Sequence, residues 1–347
     1  MTVLEIRDLS VEYGLGEAAV HAVRHVDLDV PRSRVLGIAG ESGSGKSTLV
    51  YGFTRLLRWP GVVAGGSAVL HVLGDDGSES DVDLLGATER ELRSIRWSQI
   101  SVVLQSALSA LNPVRRIAKE FDEVLRVHRS RLDRRGRRAR AVELLEMVGL
   151  DEDRLDRFPH ELSGGQRQRI MIALALALDP QLVIMDEPTT ALDVVTQREI
   201  VDQLFELRQR LGFAMIFITH DLSLLVELAD EIAVMYAGEI VERASAAELH
   251  GAPRHPYTLG LINSFPPMHG ARQELVGLPG APADLANLPT GCSFHPRCAW
   301  AMEICKTESP KAQPVGDTGR LVACWLHDGI HEVPVELRRS VPERHPL

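Results

Sequence analysis

Apolar and polar residues alternate over the first thirty positions of the chain, as at Leu4, Ile6, Leu9 and Val11. A period of two over short segments predicts half-buried β-strands. Short apolar runs further along predict buried strands at 35–39, 69–72, 100–104, 182–185, 215–219 and 232–235. Helical patterning lies between them, at 139–148, 166–178, 196–211 and 223–229. Strands that alternate with helices predict an α/β fold with a parallel sheet.

Two stretches depart from this alternation. Residues 106–178 are patterned almost entirely as helix, which predicts a helical insertion. Composition then shifts near residue 251: ten of the 19 prolines lie between Pro253 and Pro314, and every cysteine follows residue 291. We therefore expect an α/β domain over 1–255 and a separate, loop-rich module over 256–328 that does not continue the α/β layer. Residues 329–347 are expected to form a tail that is poorly packed from Glu332 onward.

Composition narrows the class of protein. With 347 residues, of which 45% are apolar and 25% charged, the chain has enough apolar sequence for a packed core. A net charge of −10 argues against nucleic acid as the main partner. The longest apolar run, 170–178, is half the ~18 residues that a membrane-spanning helix needs, and no signal segment opens the chain. We expect a soluble cytosolic protein that acts at a membrane only through a partner.

A phosphate-binding loop follows the strand predicted at 35–39. Glycines allow consecutive backbone N–H groups to converge on a phosphate at the start of a helix. In this interpretation Lys46 binds the β- and γ-phosphate oxygens, Ser47 offers its hydroxyl to Mg²⁺, and Thr48 also contacts the nucleotide. The alternative is an ordinary glycine-rich turn. The loop consists of Gly40, Glu41, Ser42, Gly43, Ser44, Gly45, Lys46 and Ser47.

A second part of the site is predicted where the apolar strand 182–185 ends in two carboxylates. A fully apolar strand can present an acid only at its tip, so the site must lie there. Asp186 is predicted to join the Mg²⁺ shell, and Glu187 to polarise the attacking water. The alternative is a simple helix start, which Pro188 would favour.

The segment Leu162-Ser163-Gly164-Gly165-Gln166 resembles the signature motif of ATP-binding cassette ATPases. The resemblance implies a RecA-like parallel sheet core, an antiparallel β subdomain and a helical signature subdomain at about 106–178. Serine and two glycines before an apolar helix form a second anion-binding helix N-terminus. One chain cannot easily bring both such sites to one γ-phosphate, so two chains are expected to associate head to tail.

Four further positions resemble elements of the same family. Tyr13 resembles the aromatic residue that stacks on adenine, and Gln105 the glutamine that senses Mg²⁺ and water. Asp193, in Ala191-Leu192-Asp193, resembles the loop that contacts the opposite subunit, and His220 the histidine at the γ-phosphate. The alternatives are a core tyrosine, a surface amide and a hydrogen-bonded histidine at a strand end.

The cysteines Cys292, Cys298, Cys305 and Cys324 are too few for a disulfide scaffold. They are separated by five, six and eighteen residues, a loose spacing for zinc, and four thiolates in a loop-rich module are compatible with a [4Fe–4S] cluster. The segment Cys292-Ser293-Phe294-His295-Pro296-Arg297-Cys298 resembles part of the C-terminal module of oligopeptide/dipeptide importer ATPases. That resemblance implies an iron–sulfur cluster; structural zinc and unligated buried thiols are the alternatives.

The resemblance to these importer ATPases extends over about residues 1–328 and implies a function. We expect the ATP-hydrolysing subunit of a peptide or nickel importer, at the cytoplasmic face of a bacterial membrane. Its expected partners are a second ATPase subunit (a paralogue rather than a copy), two transmembrane permease subunits and an extracytoplasmic substrate-binding protein. The alternatives are a soluble cassette ATPase of DNA repair or translation, which the acidic charge opposes, and an exporter subunit, which the cysteine module opposes.

Overall fold

The computed structural model describes residues 1–14, 16, 19–74, 76–104, 110–129, 132–189, 192–264 and 277–338. The strands are β1 Thr2–Tyr13, β2 Val20–Pro31, β3 Val35–Ala39, β4 Gly61–Leu73, β5 Glu79–Asp83, β6 Ile100–Val103, β7 Leu182–Asp186, β8 Ala214–Ile218, β9 Glu231–Tyr236, β10 Glu239–Ser245, β11 Gln313–Pro314 and β12 Leu321–Val322. The helices are α1 Lys46–Phe53, α2 Glu89–Ile95, α3 Ile117–His128, α4 Arg134–Met147, α5 Gly164–Ala175, α6 Val194–Leu211, α7 Leu222–Leu228, α8 Ala246–Gly251, α9 Pro256–Asn263 and α10 Glu303–Thr307.

The large sheet has eight strands in the order β11-β12-β10-β9-β3-β8-β7-β6. The five strands from β9 to β6 are mutually parallel, and β10, β12 and β11 extend this sheet in antiparallel pairing. The predicted parallel sheet is thus confirmed. Because β3, β8 and β7 run parallel, the carboxyl ends of β3 and β7 lie at the same edge of the sheet, where ligands bind in open α/β sheets.

The central strands are apolar throughout because both faces of the sheet are covered. Along β7, Val183 and Met185 belong to one core cluster, while Leu182 and Ile184 belong to the other. This alternation with a period of two is what a strand buried on both faces requires. Such a strand has no exposed side chain on its length, so polar chemistry is confined to its end.

A second, antiparallel sheet has the order β2-β1-β4-β5, and its first two strands are the alternating segments predicted over residues 1–30. Its inner face packs with α1 against one side of the large sheet: Leu9, Leu28, Leu49 and Phe53 are all fully buried in the same cluster. The sequence pattern did not predict β5 or α2.

Between Ile117 and Ala175 every regular element in the described residues is helical, as predicted. Helices α3 and α4 pack together through Phe121, Leu125, Leu144 and Leu145, each almost inaccessible to solvent. No helix in the described part of the chain is both long and apolar enough to cross a bilayer.

The proline-rich C-terminal segment departs from the prediction that it leaves the α/β layer. Strand β12 pairs with β10, Glu242 opposite Val322, so this segment adds two short strands to the large sheet. Two residues suffice for β12 because it lies between β10 and β11, each of which supplies part of its ladder. Within the segment 332–338 of the predicted tail, Leu337 is fully buried and its carbonyl accepts a hydrogen bond from Arg254, whereas Glu332, Val335, Glu336 and Arg338 are exposed. Residues 339–347 lie outside the described residues.

Candidate nucleotide and cysteine sites

The predicted phosphate loop joins the end of β3 to the start of α1. Two of its glycines are required by close backbone contacts. A Cβ on Gly40, which has φ +150°, would lie 2.3 Å from the carbonyl oxygen of Met235, and one on Gly45, which has φ +104°, would lie 2.4 Å from that of Ala22. Only glycine combines this backbone conformation with this lack of space. The loop is therefore pressed against the strands around it.

Lys46 is almost completely buried beneath the loop. Its ammonium group donates to the carbonyl oxygens of Gly40 at 2.7 Å and Glu41 at 2.8 Å, and lies 3.5 Å from the hydroxyl of Ser44. Burial lowers the pKa of Lys46, while the nearby carboxylates of Glu187, Asp186 and Glu41 oppose that shift. The folded loop thus holds the cation in place with two short bonds and one at the limiting distance.

The hydroxyl of Ser47 donates to Oδ1 of Asp186 at 2.9 Å, which joins the two predicted parts of the site. Asp186 is inaccessible to solvent, and its Oδ2 accepts a bond of 3.3 Å from the Tyr51 hydroxyl. Burial raises the pKa of Asp186, and the bonds from Ser47 and Tyr51 act in the opposite direction. Burial also raises the pKa of Tyr51 to about 12. Sequence reasoning missed Tyr51, although it follows Ser47 by four residues and so shares its helix face.

Glu187 follows directly after β7 with a left-handed backbone, φ +47°, and its N–H donates to the carbonyl of Ile218 in β8. Its carboxylate lies 3.7 Å from Nδ1 of His220, which is exposed beyond the end of β8. A non-glycine residue at positive φ stores strain that surrounding structure must hold. The strand ends therefore bring these two predicted residues together, and the backbone turns sharply between Asp186 and Glu187.

Tyr13 lies at the end of β1, and its hydroxyl is 3.4 Å from the Thr48 hydroxyl at the start of α1. Asp193 is placed as the N-cap of α6, where its carboxylate accepts from the N–H of Thr196 at 2.9 Å, and these hydrogen bonds lower its pKa. Gln105, the glutamine predicted to sense Mg²⁺ and water, lies outside the described residues. So does Ala191, in the loop that leads to Asp193.

The predicted signature segment forms the N-terminus of α5. Ser163 is an exposed N-cap whose hydroxyl accepts from the N–H of Gln166, while the Gln166 side chain accepts from the N–H of Ser163. A Cβ on Gly165 would lie 2.7 Å from the Thr196 side chain, so this glycine lets α5 approach α6 closely. The helix start is thus rigidly formed and faces solvent.

All four cysteines line one small cavity in the C-terminal segment, together with His255, His295, Trp300 and Trp325. All four have free thiols. Across the described residues, which include all four thiols, no set of three or more His, Cys, Asp or Glu side chains is arranged to hold a metal ion. The cysteines share a cavity without the close convergence that a single ion demands.

Backbone N–H groups point at three of these sulfurs. They come from Phe294 to Cys292, from Trp300 to Cys298 and from Leu326 to Cys324, each two residues further along. Burial is the main cause that raises the pKa of Cys292 to about 11 and of Cys324 to about 12, and the neighbouring thiols add to it. Without a cation these thiols stay protonated at neutral pH.

Two protein families match the chain. The family described as "ABC transporter" matches residues 23–190, and the family described as "Oligopeptide/dipeptide transporter, C-terminal region" matches residues 241–305. The dipeptide transport ATP-binding protein DppD of Caldanaerobacter subterraneus is 40% identical over 327 residues, 94% of this chain and 97% of that protein. The chain belongs to the oligopeptide/dipeptide family of ABC transporter ATP-binding proteins. The predicted resemblance to this family is thereby confirmed.

Other members of the family match at similar levels. The oligopeptide transport ATP-binding protein OppD of Bacillus subtilis is 40% identical over 93% of this chain and 88% of that protein. The dipeptide transport protein DppD of Escherichia coli is 38% identical over 93% of this chain and 96% of that protein. As in its family, the chain is an ATP-hydrolysing transporter subunit, which confirms the function predicted from the motifs.

Solved structures match the nucleotide-binding part. A dimeric structure of the ATP-binding cassette MJ0796 bound to ADP and Pi has a TM-score of 0.59 and 28% identity, and covers 70% of this chain and 98% of that one. The transporter component cbiO1 of Clostridium perfringens has a TM-score of 0.58 and 27% identity, over 72% of this chain and 90% of that one. This ABC transporter ATP-binding protein therefore has the expected cassette fold, with its parallel sheet and its antiparallel subdomain.

Proposed function

We propose that the chain hydrolyses ATP at the carboxyl ends of β3 and β7 to drive import of a peptide-like solute. The observation that carries this proposal is the bond between Ser47 and Asp186, because it joins a phosphate loop to a buried carboxylate at one sheet edge. The oligopeptide and dipeptide names of its relatives support the substrate class. The contacts of each residue in the site indicate its role in the reaction.

Lys46 binds the β- and γ-phosphate oxygens. An ammonium group has three N–H donors, and two are already used on the carbonyls of Gly40 and Glu41. The third meets only the Ser44 hydroxyl at 3.5 Å, so it is the donor that a phosphate oxygen takes. The backbone N–H groups from Ser42 to Thr48 and the start of α1 complete the anion site, and the Tyr13 ring stacks on adenine.

The hydroxyl of Ser47 and the carboxylate of Asp186 are the groups that would hold Mg²⁺, with Gln105 from outside the described residues. Both are oxygen ligands, which Mg²⁺ prefers, and their bond of 2.9 Å places the two oxygens side by side. Bound there, the ion would neutralise charge on the phosphates.

Glu187 orients and polarises the water that attacks the γ-phosphate, and His220 contacts that phosphate. Their side chains are 3.7 Å apart at the ends of adjacent strands, which supports a shared position over the loop. The strained backbone of Glu187 supports the same assignment, because such strain concentrates at functional sites.

A second ATPase chain, a paralogue rather than a copy, completes each site. Ser163 caps the signature segment at the start of α5 and is exposed, so it is accessible to a γ-phosphate bound on another chain. Asp193 lies beside it on α6 and contacts the opposite subunit. The dimeric structure of MJ0796 bound to ADP and Pi supports a pair of ATPase chains, which we expect to be arranged head to tail.

The C-terminal cysteine module holds a [4Fe–4S] cluster. Four thiols that line one cavity, three of them with N–H donors on sulfur, suit a four-thiolate cluster. Binding iron would deprotonate the thiols despite their raised pKa values.

The ATPase pair works at the cytoplasmic face of a bacterial membrane, on two permease subunits that dock near 105–113 and with an extracytoplasmic binding protein. Purification of the tagged chain from membranes tests this assembly. We expect two multi-span membrane proteins and a paralogous ATPase to co-purify, with hydrolysis stimulated by the loaded binding protein. A chain that is recovered alone, with hydrolysis stimulated by DNA, would contradict the proposal.

A further inference from the structure

The phosphate loop is bonded to the cysteine-rich segment by an ion pair in which the arginine is buried and the glutamate is half-buried. Nη1 of Arg297 lies 2.6 Å from Oε2 of Glu41, and Nη2 lies 3.0 Å from Oε1, so the pair is a two-bond fork. Glu41 is the second residue of the loop, and Arg297 directly precedes Cys298. Such a fork fixes orientation as well as distance, which a single lysine contact does not.

The backbone of Glu41 is held on both sides as well. Its N–H donates to the hydroxyl of Tyr257, at 2.8 Å, and its carbonyl accepts from Lys46. Tyr257 is inaccessible to solvent and lies in α9, so it too belongs to the C-terminal part of the chain. Every polar group of Glu41 is thus engaged, two of them by residues more than two hundred positions away.

Arg297 is itself held in one orientation. Its Nε donates to the carbonyl of Pro279 at 2.7 Å, and its guanidinium lies 5.8 Å from the centre of the Tyr236 ring and 5.9 Å from that of Phe294. Its side chain is only 6% exposed. A charge so buried requires a partner, and Glu41 provides it. The bonds to Glu41 also raise the pKa of Arg297, which keeps it charged.

We propose that Arg297 is a positioning residue for ATP binding: through Glu41 it holds the phosphate loop in the shape that receives the nucleotide. The proposal rests on the nucleotide site proposed above. The neighbouring N–H groups of the loop bind phosphate only while they converge, so a fixed Glu41 lowers the cost of ordering them. The C-terminal segment thereby acts on ATP affinity without touching ATP.

The test measures the affinity of the purified full-length chain for a fluorescent ATP analogue. Arg297→Met removes the fork but keeps apolar volume, and we expect affinity to fall about tenfold, within the usual range of coupling between sites. Arg297→Lys restores charge without the fork and should recover only part of this loss. In the assembled transporter, KM for ATP should rise with kcat nearly unchanged, since ground state and transition state lose the same support.

Arg320→Met is the matched control. Arg320 is as buried in the same segment, but it pairs with Glu242 and Glu248 and donates to Ala252, away from the loop. A general loosening of the C-terminal segment would lower affinity in both variants. A loss confined to Arg297→Met supports positioning through Glu41, whereas equal losses, or none in a folded Arg297→Met chain, overturn the proposal.

If Arg297→Met does not fold, variants of Glu41 and Tyr257 test the positioning role of Arg297 instead. Glu41→Gln and Tyr257→Phe should each lower ATP affinity, and the double variant Arg297→Lys/Glu41→Gln should lose no more affinity than the larger of its two single losses. Unchanged affinity in both single variants overturns the proposal. Lys46→Ala distinguishes a failure of the proposed nucleotide site from a failure of the proposed role of Arg297. If Lys46→Ala binds ATP normally, the nucleotide site is wrong. If Lys46→Ala loses ATP binding while the Arg297, Glu41 and Tyr257 variants keep it, only the role of Arg297 is wrong.

Discussion

The hydroxyl of Ser47 donates a hydrogen bond of 2.9 Å to Asp186, so the first turn of α1 and the last residue of β7 meet directly. The two residues are 139 positions apart, and only the parallel order β3-β8-β7 brings them to one edge. The bond holds a hydroxyl oxygen and a carboxylate oxygen side by side at the end of the sheet. Preorganisation of this kind reduces the cost of binding a charged substrate.

Asp186→Asn should uncouple ATP binding from Mg²⁺. The amide still accepts from Ser47 but lacks the charge that a divalent cation requires, so we expect hydrolysis to fall at least about 100-fold. ATP affinity, measured by fluorescence titration, should become nearly the same with Mg²⁺ and with EDTA. Asp230→Asn is the control, because Asp230 accepts from the N–H of Val35 at the opposite end of β3. A variant that keeps its Mg²⁺ dependence would contradict this role.

Glu187→Gln should bind ATP normally and hydrolyse it at least about 100-fold more slowly, about 2.7 kcal/mol of barrier. The amide preserves shape but cannot polarise water as a carboxylate does. Single-turnover hydrolysis and equilibrium ATP binding, measured on the same preparation, separate the two effects. Glu206→Gln, on the exposed face of α6, should leave both unchanged. Hydrolysis by Glu187→Gln at near the wild-type rate would remove Glu187 from the reaction.

Local backbone requirements explain which parts of the site were predictable. A glycine-rich loop after an apolar strand, and a carboxylate at the tip of another, are visible in sequence because each is dictated by its neighbours. Tyr51 was missed because its role depends on what α1 packs against. The fork between Arg297 and Glu41 was missed for the same reason: nothing near either residue in sequence indicates the other.

The C-terminal segment shows a second limit of the sequence pattern. Its prolines and few apolar residues predicted a module outside the α/β layer, yet β12 extends the large sheet beside β10. A two-residue strand needs neither a periodic pattern nor a long apolar run here, since β10 and β11 on its two sides supply the ladder. Leu337 shows the same effect, because a single apolar residue in a charged stretch is buried by the surface it meets.

Ser163→Asp should separate the structural role of this residue from its predicted role in a partner's site. Aspartate is as good an N-cap as serine, so thermal stability should change little. Its negative charge would repel a γ-phosphate, and we expect hydrolysis by the assembled pair to fall at least about tenfold while ATP binding by the single chain is retained. Ser163→Asn, a neutral cap, is the control. Equal hydrolysis by the Asp and Asn variants would exclude contact with phosphate.

Two glycines of the phosphate loop should differ in their tolerance of a methyl group. Gly43→Ala meets no atom within 4 Å, so it should cost only the positive φ of +79°, about 1–2 kcal/mol of unfolding free energy. Gly40→Ala would place Cβ 2.3 Å from the carbonyl oxygen of Met235 and should cost clearly more. Denaturant unfolding of both variants measures the difference. Equal losses would mean that the loop is free to move away from β9.

Anaerobic purification should yield a coloured protein that contains about four irons per chain, with the broad visible absorption of an iron–sulfur cluster. Cys298→Ser should lose that absorption, because it removes one of four thiolates from the cavity. His295→Gln is the control: His295 lines the same cavity but carries no thiol, and its Nδ1 is bonded to the carbonyl of Cys292, so iron should be retained. One zinc per chain, with no iron, would establish the zinc alternative, and metal-free protein of full stability would leave the cysteines as buried thiols.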